Sequence, residues 1–363
     1  GAAVLWRAQA RGGRGGYTYA FHVMDAKEEK VAQEGASPSW RWSPSSPGAY
    51  RVRVVARDAF GNAADTGWSP EYVVVPKLEV SRPIADKDSP QAAGMTTVRW
   101  KADALGGVGH PTYVFRISDG KDEKVAQEGA SSSWTWSPSA PGSYRVRVTA
   151  RDTAGNLAES GWSPDFTVAP KPDVSSPVPD KKPPQAAEMT TVHWKAEARG
   201  GVGKLAYSFR ITDGKEERVA QEGDSSSWNW VPPAAGTFRV KAVVRDAIGN
   251  VAESRWSPEY KVVPMVTVSP VVPDKASPQA AEMASIRWSV NSAGGVGKRT
   301  HAFLLTDGTE ERVAHEGEAA SWVWTPTAQG TYRVKVVARD AIGNAVENGW
   351  SPEFTVVPKL RAM

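Results

Sequence analysis

Cysteine is absent from this chain of 363 residues. That excludes a disulfide scaffold, thiolate metal sites and a cysteine nucleophile, and leaves the compartment open. Long apolar runs are absent as well. The longest, around Tyr72-Val73-Val74-Val75, is strand-sized and far below the about 18 residues a spanning helix needs. No transmembrane segment is therefore expected within these residues. Charge of one sign is not concentrated: 44 Lys and Arg face 40 Asp and Glu, for a net charge of +4. No basic block of the kind that neutralises a phosphate backbone occurs, so nucleic acid is not an expected partner. At 23 % charged and 40 % hydrophobic residues, the chain reads as neither a disordered polyelectrolyte nor a membrane protein. Gly1-Ala2-Ala3-Val4 has no basic segment before an apolar stretch and does not read as a signal peptide. An export address would then have been removed or lie outside this chain.

Histidine is scarce, and its five positions (His22, His110, His193, His301 and His315) share no periodicity. A Ser/His/Asp or metal–His site needs its imidazole in a fixed place. No hydrolase or metalloenzyme is expected, and no cofactor.

What the chain has in excess is tryptophan (16), glycine (33) and proline (27). The tryptophans set the organisation. Trp6, Trp100, Trp194 and Trp288 follow one another at a step of 94 residues, and so do Trp40, Trp134, Trp228 and Trp322. Trp42, Trp136, Trp230 and Trp324 form a third column, and Trp68, Trp162, Trp256 and Trp350 a fourth. Asp58, Asp152, Asp246 and Asp340 keep the same step, as do Asn62, Asn156, Asn250 and Asn344. A fixed period of this kind marks a tandem array. The copies are 1–76, 77–170, 171–264 and 265–358, followed by a stub at 359–363. Gly1 aligns with Met95, so the first copy lacks the opening strand, and the stub aligns with the start of a further copy. The chain reads as a window cut from a longer array. Strand addition between the tail of one chain and the head of the next is conceivable; truncation is the simpler account.

Within the second copy, Val98–Ala102, Tyr113–Ile117 and Tyr144–Arg151 alternate apolar and polar residues. Period two in short β-branched and aromatic runs indicates half-buried strands. Breakers such as Gly106-Gly107-Val108-Gly109 and Ala154-Gly155-Asn156 separate them. About seven short strands per copy predict an all-β fold, a tandem array of immunoglobulin-like or fibronectin type III-like sandwiches. Ser89-Pro90-Gln91, the glycine turn, Tyr113-Val114-Phe115, Trp134-Thr135-Trp136-Ser137-Pro138 and Pro141 to Val148 recur in order, with substitutions, along the array. In this the chain resembles the bacterial triple-tyrosine-motif family of Ig-like modules. That family occurs in tandem in exported and cell-surface proteins. His301 and Phe238 depart from its tyrosine columns but keep a flat ring.

Tyr144 to Arg151 followed by Gly161-Trp162-Ser163-Pro164 also resembles receptor-type fibronectin III modules, in which a Trp-Ser element packs on arginines of the neighbouring strand. Parity turns Arg145 and Arg147 outward. The expected stacks are Trp68 on Arg51 and Arg53, Trp162 on Arg145 and Arg147, Trp256 on Arg239, and Trp350 on Arg333; the plainer alternative is that these tryptophans cap the open end of the core. Asp58 with Asn62 and Asp152 with Asn156 bracket a glycine at a spacing that could supply oxygen ligands to Ca²⁺, although a hairpin turn explains the same spacing. Gly294-Gly295-Val296-Gly297-Lys298 lacks the residues and the helix of a phosphate loop and reads as a turn. Trp40 and Trp42 share parity, either inside the core or as a glycan platform. The Pro83 to Pro90 stretch is expected to cross between sheets, with an inter-domain linker as the alternative. Each copy closes on a proline (Pro76, Pro170, Pro264, Pro358) with the next strand beginning almost at once, which favours a stiff array. Sandwiches of roughly 40 Å each, four in line, would reach on the order of 160 Å.

The resemblance implies a non-enzymatic structural or adhesive role, as a stalk, spacer or filament body, at a bacterial cell surface or outside the cell, with the periplasm as an alternative. Expected partners are other copies of the chain or other surface proteins, with polysaccharide as a further candidate. A glycan- or protein-binding array, or a sensing region of a larger receptor, is the alternative function.

Overall fold

A computed structural model describes residues 3–360. Gly1, Ala2 and the rest of the stub, residues 361–363, lie outside the described residues. The chain is all-β: strands, turns and bends account for the secondary structure among the described residues. It divides into two compact units, Gly1–Pro170 and Lys171–Met363, each holding two copies of the repeat.

The second copy shows the plan. One sheet is three-stranded, with Val98–Lys101 between Ser133–Trp136 and Ile84–Ala85. The other sheet orders Gln91–Ala92, Phe166–Ala169, Gly142–Arg151, Thr112–Ser118 and Glu123–Gly129, with Leu157–Glu159 also paired to the long Gly142–Arg151 strand. A further two-residue ladder joins Glu79–Val80 to Ala104–Leu105. The stretch between Ile84 and Gln91 thus carries the chain from one sheet to the other. The third and fourth copies repeat these pairings at the 94-residue step. The first copy has seven strands. The other three add short two-residue strands that periodicity cannot register, because two residues contain no full alternation.

Alternation fixes the core. Phe115, Val146 and Val148 are fully buried, and Trp100 and Phe166 nearly so, while Arg145 and Arg147 point away. The aromatic columns touch in series. Phe115 meets Trp134 at 6.3 Å, Trp134 meets Trp136 at 6.2 Å, and Trp136 meets Tyr144 at 4.9 Å edge-on. Edge-to-face pairs of this kind add to area burial. Trp40 and Trp42 belong to the first copy's core, so the glycan platform considered for that pair is not available there: its rings face inward.

The glycine turn is a packing device. Gly106 has φ +71°, and a Cβ there would lie 2.3 Å from the Lys77 carbonyl oxygen, so no side chain fits. Its neighbours point their N–H groups at protein acceptors. Gly107 donates to the Pro76 carbonyl at 2.8 Å and Val108 to Asp152 Oδ2 at 2.9 Å. In the fourth copy Lys298, at the place of a phosphate-loop lysine, pairs with Glu318 at 3.2 Å.

Candidate functional site

Three of the four tryptophan columns pack inside. The fourth lies over the outer face of the larger sheet, half-buried in every copy. A serine clamp holds it there. In the second copy Ser163 N–H donates to the Val146 carbonyl at 2.8 Å, and Val146 N–H donates back to Ser163 Oγ at 3.0 Å. Ser69, Ser257 and Ser351 repeat the clamp on Val52, Val240 and Val334. A non-strand segment thereby satisfies the backbone of the long strand and places the indole above it.

Under each indole lies a cation. The guanidinium carbon of Arg53 is 5.0 Å from the Trp68 ring centroid, and that of Arg147 is 4.9 Å from Trp162. In the third copy the cation is Lys241, 4.9 Å from Trp256, and in the fourth it is Lys335, 4.7 Å from Trp350. Arg239 and Arg333 do not sit under the indole. They stand two residues earlier on the strand, with Arg51 and Arg145, and each pairs with the acid after the Trp-Ser-Pro element: Arg51 with Glu71, Arg145 with Asp165, Arg239 with Glu259 and Arg333 with Glu353. Parity supplies two outward cations per strand. The clamp geometry selects the second, which is a lysine in two copies, so a search for arginine alone misses Lys241 and Lys335. The serine column was also missed, although a Ser-Pro pair follows every one of these tryptophans.

Each stacked cation belongs to a cross-strand charge ladder. Arg53 bridges Glu29 at 2.6 Å and Asp65 at 2.7 Å. Arg147 bridges Glu123 at 2.8 Å and also Glu159. Lys241 bridges Glu217 at 3.1 Å and Glu253 at 3.3 Å, and Lys335 bridges Glu311 at 3.0 Å and Glu347 at 3.8 Å. Hydrogen bonds from Arg53 hold the Glu29 carboxyl below the usual range, and those from Lys241 do the same for Glu217. The Glu123 partner raises Arg147 further. Glu29, Glu123, Glu217 and Glu311 thus recur as partners of the stacked cation on a solvated sheet face.

Asp58 and Asp152, with Asn62 and Asn156, form closed turns. Asp152 Oδ1 accepts from Ala154 N–H at 3.0 Å and Asn156 N–H at 2.8 Å, while Oδ2 accepts from Val108 N–H and the Asn156 amide. Asp58 accepts from Phe60, Asn62 and Arg14 in the same way. The Asn62 side chain heads the interactions that hold the Asp58 carboxyl down at about 2. Both oxygens face N–H donors, which a cation would have to displace. No group of three or more His, Asp or Glu side chains suited to a metal occurs among the described residues.

No protein-family model matches the chain, and no curated protein matches it. Solved structures that align with the chain include the FN1–FN3 domains of chicken CNTN1 (14 % identity over 77 % of this chain and 99 % of that one, TM-score 0.29). A Ca²⁺-stabilized, ice-binding adhesin of an Antarctic bacterium aligns at 19 % identity over 98 % of this chain and 94 % of that one, with a TM-score of 0.36. Fibronectin(III)-like modules of Clostridium thermocellum CbhA align at 18 % identity over 50 % of this chain and 92 % of that one, with a TM-score of 0.26. None of the three supplies a functional residue or a ligand for this chain. The topology defines the class: a tandem array of immunoglobulin- and fibronectin III-like β-sandwiches.

Proposed function

We propose that this chain is a non-enzymatic structural or adhesive repeat protein that works outside the cell or at its surface, as a stalk, spacer or filament body. Its domains are the four copies, 1–76, 77–170, 171–264 and 265–358. The observation that carries this reading is that one Trp-capped, ion-paired sandwich recurs at a fixed step. Four near-copies supply length and multivalency better than they supply chemistry. The triple-tyrosine resemblance favours a bacterial surface, with other copies of the chain or other surface proteins as partners.

Pulling single molecules tests this. Unfolding should come in four events, three lengthening the chain by about 300 Å, the contour of a 94-residue copy, and one by about 250 Å, that of the 76-residue first copy. One all-or-none event, or yielding with no measurable force, would remove the stalk reading.

A further inference from the structure

Beside the Trp column the larger sheet carries a shallow groove that recurs in three copies. Its volume is about 300 Å³ in the second copy, about 460 Å³ in the third and about 330 Å³ in the fourth. In the third copy the walls include Trp256, Arg239, Glu259, Thr237 and the Asp213-Gly214 turn. The second copy offers Trp162, Arg145, Asp165, Ser143 and Asp119-Gly120, and the fourth Trp350, Arg333, Glu353, Thr331 and Asp307-Gly308.

Three features point to a ligand. The indole is half-buried, and the cation of the ladder holds it in place. The turn aspartate is ionised: in Asp213, N–H donors from Lys215 and Glu216 converge on Oδ1 and lower its pKa. Oδ2 of Asp119, Asp213 and Asp307 has no protein donor among the described residues. Finally, the exposed hydroxyls of Ser143, Thr237 and Thr331 make no protein hydrogen bond among the described residues.

We infer that this groove is a carbohydrate-binding site, present three times in the chain, that stacks a neutral sugar ring on Trp162, Trp256 or Trp350. A sugar has an apolar C–H face for the indole and hydroxyls that both donate and accept. The groove answers with carboxylate acceptors, a guanidinium donor and a free hydroxyl around one aromatic plate. An apolar peptide would find no apolar wall besides the indole. The first copy is a natural control. It keeps Trp68 and Asp25 but has Met24 and Ala49 where the others have a hydroxyl residue, and Ala26 for the glycine. The inference goes beyond a spacer role: an array that bound nothing would still set distance.

The test is titration of the full chain, observed through its indole ¹H–¹⁵N signals, with cellohexaose, xylohexaose and chitohexaose, and in parallel with tetralysine. At least one neutral oligosaccharide should shift the signals of Trp162, Trp256 and Trp350 and leave Trp68 in place. The triple variant Ser143→Ala, Thr237→Ala, Thr331→Ala reproduces the first copy's alanine and should fold unchanged. Its affinity should fall about tenfold, the effect of one lost hydrogen bond per site. Silence toward all three sugars at about 10 mM, the weak end of measurable affinity, overturns the assignment. So does a response to tetralysine alone, equal shifts at Trp68, or unchanged binding by the folded triple variant. Four-step unfolding is a separate readout, so either proposal can fail without the other.

Discussion

Consider a double-mutant cycle on Trp162 and Arg147. Trp162→Leu keeps an apolar cover over the strand and removes the π-face. Arg147→Met keeps the stem and removes the charge. A half-buried Trp replaced by Leu gives up roughly 40–60 Å² of burial, or about 1–1.5 kcal/mol. The lost cation–π contact adds roughly 0.5–1 kcal/mol, so the single variant should lose about 2 kcal/mol. Arg147→Met also leaves Glu123 and Glu159 without their cation. The cycle cancels that common cost and isolates the pair. Its coupling energy should be about 0.5–1 kcal/mol, because the Arg147 side chain is 29 % exposed and only partly desolvated.

Native-state hydrogen exchange gives the readout. The Val146 and Val148 amides, bonded to Ser163 Oγ and Ser160 Oγ, lie beneath the lid, and their exchange reports the second copy's own opening free energy. The coupling should survive molar salt, unlike the exposed Arg145–Asp165 pair at 58 % and 57 % exposure. In the fourth copy, Lys335 is 16 % exposed and lies 4.7 Å from Trp350, so that coupling should be at least as large. A coupling within about 0.2 kcal/mol of zero in both copies, below the usual range for such contacts, would refute the stacking and leave the tryptophan as a simple apolar cap.

Other consequences can be measured on the same chain. Phe209→Ala empties a fully buried core position and should cost about 3–5 kcal/mol in the third copy by denaturant unfolding. His301 is buried; burial first, and then the nearby Arg299 charge, lower its pKa below 6.5. Its contribution to stability is therefore complete above pH 6.5 and is lost as pH falls through the lower folded value. Melting of the fourth copy should drop with acid over that window, and His301→Tyr, which restores the residue of Tyr19, Tyr113 and Tyr207, should remove the dependence. Melting in Ca²⁺ and in chelator should coincide, because N–H donors face the oxygens of Asp58 and Asp152. Thr190 Oγ1 donates to Asn344 Oδ1 at 3.3 Å within the second unit. Thr190→Ala removes that hydrogen bond and should lower the stability of the second unit by about 0.5–1.5 kcal/mol in denaturant unfolding.

The core was legible because it follows parity. Phe115, Val146 and Val148 are inward on period two alone; parity put Trp40 and Trp42 on one face without choosing which, and their burial chose it. The short strands such as Ile84–Ala85 and Gln91–Ala92 were not, since partners distant in sequence define them. At the surface, parity reduces the cations to two per strand and cannot choose between Arg239 and Lys241. The choice depends on where the serine clamp sets the indole, which is a tertiary fact. The aspartate turns show the opposite case. Asp58 and Asn62 carry a spacing that two chemistries share, and only the direction of the N–H groups separates them.

The four copies act as a substitution series on one backbone. Where Arg147 becomes Lys241, the geometry over the indole is unchanged at 4.9 Å. The contact therefore does not depend on a guanidinium plane. Where Arg116 becomes Leu304, the partner of Glu123 or Glu311 on that side is lost, and the ladder keeps its central cation and its lid. The Trp–cation pair and the Ser clamp persist through every change in their surroundings, while the hydroxyls of the adjoining groove vary to Met24 and Ala49 in the first copy. A contact needed to close the sandwich should tolerate no loss in any copy; a ligand contact can lapse in one copy of four because the others retain it. Grafting the groove onto the first copy, with Met24→Ser, Ala26→Gly and Ala49→Thr, separates the two kinds of residue. The Trp68 indole signal should then respond to the same oligosaccharide as Trp162, with the melting temperature unchanged, whereas an altered melt without a response would place these positions in the scaffold.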